Sequence, residues 1–163
     1  MPNKVVFPGG AVDPGDADVP LAGAIPDPCA SRLAEESTGD LVHALGVAAI
    51  RELWEETGLI LGRPGTWDVT PPPDWETFAA TGHVPDASAL RFVFRAITPP
   101  GRPRRFDARF FLVDAEALAT DPDDFSAASD ELSHLQWIGL DALRNFDMPF
   151  ITEGGLAEIA ARA

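Results

Sequence analysis

The run Arg51-Glu52-Leu53-Trp54-Glu55-Glu56-Thr57-Gly58-Leu59 constrains this chain more than any other segment. Its three carboxylates stand at i, i+3 and i+4, behind an arginine and ahead of a glycine. On a helix those spacings bring side chains to one face. At about 100° per residue, Glu52, Glu55 and Glu56 share roughly a third of the helix circumference. Charges crowded in this way repel one another and weaken the helix that carries them. A bound divalent cation is the usual physical reason to keep them. A solvated acidic face on an amphipathic helix is the plainer alternative. Val47, Ile50, Leu53 and Trp54 follow apolar helical spacing roughly opposite the acids and are the expected core. We therefore expect a helix over residues 41–57, with Ser37, Thr38 and Asp40 as candidate N-caps and Gly58 as its left-handed end.

Upstream lies Phe7-Pro8-Gly9-Gly10-Ala11-Val12-Asp13-Pro14-Gly15-Asp16. A strand-like stub, Val5 to Phe7, runs into a Pro-Gly-Gly turn that lets backbone approach a ligand closely. Alone, this is only a turn signal. Together with the glutamate helix it resembles the Nudix hydrolase family. The family signature is Gly, five residues, an acid, seven residues, then Arg-Glu-aliphatic-x-Glu-Glu-x-Gly-aliphatic. Gly10 and Asp16 fit the first spacing, with Asp in place of the usual Glu. Arg51, Glu52, Leu53, Glu55, Glu56, Gly58 and Leu59 fit the second half without a mismatch.

One departure is large. Residues 17–50 number 34 where the signature allows seven, an excess of 27. A box interrupted in this way resembles the subgroup of peroxisomal coenzyme A diphosphatases and their bacterial relatives. The stretch from Pro99 to Phe111, with Arg104-Arg105-Phe106-Asp107 at its centre, and the stretch from Ser129 to Trp137 resemble two further segments of that subgroup. The resemblance implies an α/β class, a Nudix-type α/β/α sandwich with a mixed sheet. It also implies strands ahead of the Pro-Gly-Gly turn, and few residues precede Pro8 here. We therefore expect the usual N-terminal strand or strands to be lacking. A truncated product, an expression fragment and a homologue whose sheet another subunit completes all stay open. An unpaired sheet edge favours association, so a homodimer is one expectation.

The resemblance implies hydrolysis of a diphosphate linkage in a small nucleoside diphosphate derivative, with coenzyme A or an acyl-coenzyme A as the suggested substrates. The cofactor would be Mg²⁺ or Mn²⁺. Glu52 and Glu56 would be the main metal ligands, Glu55 a further ligand or a contact through water, and the carbonyl of Gly10 the completing donor. Arg51 would orient the glutamates by ion pairing; a plain helix-surface salt bridge is the competing reading. Glu131 is the candidate general base or extra ligand, with Asp130 as its rival. The alternative function is a Nudix-fold nucleotide-binding or regulatory module that turns over weakly or not at all. Such a module has no need of three repelling charges.

A net charge of −14 argues against a nucleic-acid or anionic-membrane surface, and it also opposes an anionic substrate. Two features offset that repulsion. A divalent cation would neutralise the glutamates, and the arginines are unevenly placed. Arg91, Arg95, Arg102, Arg104, Arg105 and Arg109 supply six of the chain's 12 cations. Arginine's planar fork suits phosphate. Arg102, Arg104 and Arg105 are the candidate substrate contacts, while others would pair with acids. With 163 residues and 45% apolar content, the chain suits one domain, 1–163, with 13–40 as an insertion in the box. No apolar stretch has the length of a membrane span and none reads as a signal peptide, so cytoplasm is the default compartment. Cys29 is the sole cysteine, expected to be an inert loop thiol.

Along the chain, we expect residues 13–40 to form a loop with a short helix near Ser31–Glu36, lying outside the catalytic core. Residues 63–73 should be a stiff extended connection, and 74–81 a short helix. Strands are expected at 90–98, 110–113 and 135–140, brief helices at 115–119 and 141–146, and a closing helix at 155–162. His43, His83 and His134 lack ligand spacing and read as structural. Trp54 reads as core. Trp67 and Trp75 lie near loops where a base could stack, although ordinary packing is the simpler role.

Overall fold

The computed structural model describes residues 6–35, 39–101, 103, 106–129, 135–143 and 157. Up to residue 112 the described elements follow in the order α1 (Cys29–Ala34), α2 (Gly39–Thr57), β1 (Gly62–Pro64), α3 (Glu76–Ala80), β2 (His83–Pro85), β3 (Arg91–Ile97) and β4 (Asp107–Leu112). Single 3₁₀ turns stand at Asp16–Asp18, Pro73–Trp75 and Ala115–Ala117. The class is mixed α/β, as expected. The strands form two small antiparallel sheets, β1 with β2 and β3 with β4. The chain divides into two compact units.

The first unit comprises Pro8–Arg91 and Val113–Leu135 and is built around α2. Val47 and Ile50 are fully buried, Trp54 is buried and Leu53 is half-buried. Burying each large aliphatic side chain contributes about 1.5–3 kcal/mol. A like-charge pair on the opposite face costs only about 0.2–0.5 kcal/mol. Burial therefore wins, and the helix tolerates its acidic face. Trp54 packs edge-on against Phe78 at 5.9 Å, and Phe78 against Trp75 at 4.9 Å, which ties α3 to the helix. The helix begins at Gly39, earlier than expected, so Asp40 lies in its first turn rather than capping it. There the carboxylate favours the positive end of the helix dipole. Ser37 and Thr38 lie outside the described residues.

The C-terminal end matches expectation. Gly58 sits at φ +74°, and its N–H donates to the carbonyl of Trp54 at 2.8 Å. A Cβ there would stand 3.0 Å from the backbone of Ala127. Gly58→Ala is therefore strained both by its dihedral and by its neighbour. It should lose about 1–3 kcal/mol of stability in chemical denaturation. A midpoint unchanged from wild type would show that the 125–129 segment does not pack there.

The insertion departs from expectation. Expected to lie outside the catalytic core, residues 13–40 supply Asp16 to Arg51 and also bury Val19, Ile25 and Leu33 in this unit. His43 Nε2 lies 2.6 Å from the carbonyl of Val19, and the N–H of Ala22 donates to Pro85 at 2.8 Å. A prolonged insertion with three large apolar side chains lowers its free energy by burying them. Its helix starts at Cys29, so the thiol opens α1 rather than standing in a loop.

Strands β1 and β2 pair in the register Gly62↔Pro85, Arg63↔Val84, Pro64↔His83. Neither was legible in the sequence, because three residues ending in proline show no alternation. Pro72, at φ −58° and ψ 157°, is extended as expected and leads into the 3₁₀ turn that Pro73 opens. The expected helix at 74–81 resolves into that turn followed by α3.

The second unit comprises Met1–Phe7, Phe92–Leu112 and Gln136–Ala163. Its sheet joins β3 and β4, with Thr98 and Phe106 bonded across the connection at 2.8 Å. Phe110 contacts Phe94 at 5.7 Å and Phe7 at 6.0 Å. Of the expected stub at Val5 to Phe7, Val5 lies outside the described residues and Val6 and Phe7 are not in a strand. Residues 135–140 are likewise not a strand. Trp137 and Leu140 are 58% and 45% exposed while Leu135 and Ile138 are half-buried, so burial does not cover this apolar run as it covers a packed strand. Asp141 and Ala142 form a turn; of the expected closing helix only Ala157 is described, and it is helical. Among the described residues no helix is long and apolar enough to cross a membrane.

Candidate functional site

The last turns of α2 carry Glu52, Glu55 and Glu56, and the Pro8-Gly9-Gly10 turn lies against them. The N–H of Gly9 donates to Glu56 Oε2 at 3.1 Å. At Gly10, a Cβ would stand 2.3 Å from Glu52 Oε1 and 2.5 Å from its carboxyl carbon. Only glycine lets the backbone come that near. The turn and two of the three carboxylates therefore converge on one place. Glu56 is buried, the Glu52 side chain is 12% exposed, and that of Glu55 is 32% exposed.

Arg51 anchors this arrangement. Its Nη1 donates to Glu52 Oε1 at 2.9 Å and lies 3.6 Å from Glu55 Oε2. Its Nε and Nη2 grip the two oxygens of Asp16 at 3.3 and 3.1 Å. Nη2 also donates to the carbonyl of Ala11 at 3.0 Å and stands 3.3 Å from Asp13. Both Arg51 and Asp16 are buried. Burial opposes the guanidinium charge, but the Asp16 hydrogen bonds and the charges of Asp16, Asp13 and Glu52 outweigh it. The Arg51 pKa is accordingly pushed above its ordinary value. Desolvating two ions costs several kcal/mol each unless their remaining donors and acceptors are satisfied. Asp16 meets that condition through a further bond from the Asp13 N–H at 2.7 Å. Arg51 thus pairs with Glu52 and Glu55, whereas Glu56 accepts from the Gly9 N–H.

The partnership of Asp13 and Asp16 with Arg51 was not read from the sequence. Box spacing pointed to Asp16 as a position, but nothing local indicated its partner 35 residues away.

The segment leading to Glu131 is fastened to the same helix end. The N–H of Ser129 donates to the carbonyl of Glu55 at 2.9 Å. Asp130, Glu131, His134, Arg102, Arg104 and Arg105 lie outside the described residues. In the second unit, Arg95 grips Asp107 with two bonds of 2.8 Å, and Arg109 lies 3.4 Å from the same carboxylate. The Arg95 hydrogen bond holds the Asp107 carboxyl below its ordinary pKa; slight burial opposes this, and the charge of Arg109 adds to it. Two of the clustered arginines therefore serve an acid, as the simpler reading anticipated.

Trp54, Trp75, His43 and His83 take packing roles. Trp54 donates to Thr77 Oγ1 at 3.0 Å from within the core. Trp75 is 1% exposed, too deep to stack on a base. His43 binds the Val19 carbonyl, and His83 Nδ1 lies 3.0 Å from Thr81 Oγ1.

Among the described residues no group of three or more His, Cys, Asp or Glu forms a ready-made metal cage. Mg²⁺ asks for less, taking one or two carboxylates together with water and substrate phosphates. Glu52, Glu56 and the Gly10 backbone could meet that demand with oxygen donors alone, which suit Mg²⁺ and Mn²⁺.

No family model matches the chain. Over 150 residues it is 29% identical to putative nudix hydrolase 7 of Caenorhabditis elegans, an alignment covering 85% of this chain and 42% of that protein. The crystal structure of a NUDIX hydrolase from Alicyclobacillus acidocaldarius matches with a TM-score of 0.51 at 26% identity, covering 96% of this chain and 75% of the other. Both comparisons support the Nudix hydrolase family. The chain spans less than half the length of the curated Nudix relative. The structural match makes the mixed α/β architecture consistent with a Nudix-type sandwich. Neither comparison distinguishes a coenzyme A subgroup.

Proposed function

We propose that residues 1–163 form a single Nudix domain, interrupted at 13–40, that hydrolyses a phosphoanhydride in a nucleoside diphosphate derivative with a divalent cation as cofactor. Coenzyme A or an acyl-coenzyme A is the proposed substrate, on the strength of the interrupted box and the Arg104-Arg105-Phe106-Asp107 segment. One observation carries the reading: the Gly9-Gly10 backbone meets Glu52 and Glu56 at the end of a helix whose charge crowding is anchored by a buried arginine.

In this proposal Glu52 and Glu56 hold Mg²⁺ or Mn²⁺, the Gly10 carbonyl completes the set, and Glu55 contributes directly or through water. A divalent cation there supplies charge neutralisation at phosphate oxygens and acidifies water. Arg51 is a positioning residue, because its fork is occupied by Asp16, Ala11 and Glu52 rather than open to substrate. Glu131 takes the proton of the attacking water. The Ser129–Glu55 backbone bond supports that role by tying the chain two residues before Glu131 to the glutamate helix. Arg102, Arg104 and Arg105 contact substrate phosphates.

Purified protein should release phosphomonoester products from a panel of dinucleotides, nucleotide sugars and acyl-coenzyme A species when Mg²⁺ or Mn²⁺ is present, and none after chelation. Saturable nucleotide binding without any cleavage would instead mark a binding module and overturn the hydrolase reading.

A further inference from the structure

Apart from Asp13 and Asp16, which hold Arg51, the box insertion has no part in the proposed chemistry, yet it walls one side of a recess elsewhere in the first unit. This cavity, of about 300 Å³, is lined by Pro20 and Leu21 of the insertion and by Arg63, Pro64, Trp67 and Asp68. None of Gly10, Arg51, Glu52, Glu55 or Glu56 lines it. We infer that the insertion creates a second small-ligand site, which takes a mononucleotide by stacking its base on Trp67. The inference does not depend on the hydrolase reading.

Size, rigidity and chemistry point the same way. The volume falls at the lower end of small-molecule sites, a size suited to one base-bearing group. Trp67 is held in place, its Nε1–H donating to the His83 carbonyl at 2.8 Å and its ring set against Trp75 at 5.7 Å. The surrounding backbone is fixed by bonds from Gly65 to Gly82 at 2.9 Å and from Ala22 to Pro85 at 2.8 Å. A site whose walls are already ordered loses little entropy on binding. An indole face suits any base, because every base presents a π surface. Trp67 thus differs from the fully buried Trp75, although the two look alike in sequence.

Arg63 supplies the polar contact. Its side chain is 57% exposed and pairs through Nε with Asp86. A guanidinium carries five N–H donors, more than one carboxylate consumes, so it can also meet a phosphate. Asp68 in the same recess opposes an anion, which makes base stacking the main attraction and phosphate the lesser one. Had the box kept its ordinary seven-residue spacing, Pro20 and Leu21 would not be there to close the recess.

The test is a titration of the ¹⁵N-labelled full chain with AMP, which contains no anhydride to cleave, followed at the Trp67 indole and Gly65 amide resonances. Adenosine and ribose 5-phosphate are the comparison ligands. AMP and adenosine should both produce saturable shifts at Trp67 and Gly65, and ribose 5-phosphate only weak ones. Leu21→Trp, which fills the recess, should abolish those shifts while the Trp54 and Trp75 indole resonances stay in place. Arg63→Gln should weaken AMP about tenfold, the worth of one charge-assisted hydrogen bond, and leave adenosine unchanged. No saturable shift at Trp67 with either base-bearing ligand would overturn the proposal. So would a response to ribose 5-phosphate equal to that to AMP. If Leu21→Trp fails to fold, the Arg63→Gln comparison still decides.

Discussion

Glu56→Gln should lower turnover by at least on the order of 100-fold, the scale on which removing a single electrostatic contact to developing charge acts. Glu56 is the most deeply buried of the three glutamates and is held by the Gly9 N–H. Glutamine keeps the shape and retains a carbonyl acceptor for that N–H, so the turn need not move. What disappears is one full negative charge in the acidic cluster. The same change relieves like-charge repulsion along the helix, worth about 0.2–0.5 kcal/mol per pair. Stability should therefore stay within about 0.5 kcal/mol of wild type or rise slightly, while Mn²⁺ affinity measured by calorimetry falls. The split between lost activity and retained stability is the signature sought. Wild-type turnover in this variant would falsify the assignment of Glu56 to the cation. A collapse of stability equal to the loss of activity would recast it as a structural anchor for Gly9.

Arg51→Met should produce the larger structural effect, about 3–5 kcal/mol of lost stability, the cost of leaving a buried charge without its partner. Methionine fills much of the arginine stem's volume but offers no donor. Asp16, 2% exposed, would keep only the Asp13 N–H, and Glu52 would lose its 2.9 Å bond. Urea denaturation of the single variant and of Arg51→Met with Asp16→Leu would separate pair from packing. The double variant should recover most of the loss, because replacing both members of a buried ion pair removes the uncompensated charge. A single-variant loss below about 1 kcal/mol, the range of surface ion pairs, would show that the pair is solvated in practice.

These two residues also mark where reading a sequence succeeds and where it stops. The glutamate helix was legible because its pattern is local. Apolar residues recur at helical spacing, acids gather on the other face, and Gly58 ends the run in a left-handed conformation. The β3–β4 region was legible for the same reason, although β4 begins at Asp107 rather than at 110. The β1–β2 pairing was not, since three-residue strands separated by a helix leave no periodic trace. The run 135–140 misled in the other direction. Apolar residues were present, but Trp137 and Leu140 stay exposed, and a strand is made by its partners as much as by its own side chains.

The candidate site divides along the same line. Sequence alone determined that three carboxylates share a helical face next to an arginine, and that a Pro-Gly-Gly turn lies upstream, because both are properties of neighbours in the chain. Only the tertiary structure decided that Gly10 lies against Glu52, that Gly9 holds Glu56, and that Asp16 anchors Arg51 from within the insertion. Those contacts join residues 35 to 47 positions apart, and such pairings are chosen by the burial and charge compensation of the whole unit. The insertion shows the difference most plainly: its prolines read locally as an excluded loop, yet the free energy of burying Val19, Ile25 and Leu33 draws it into the core.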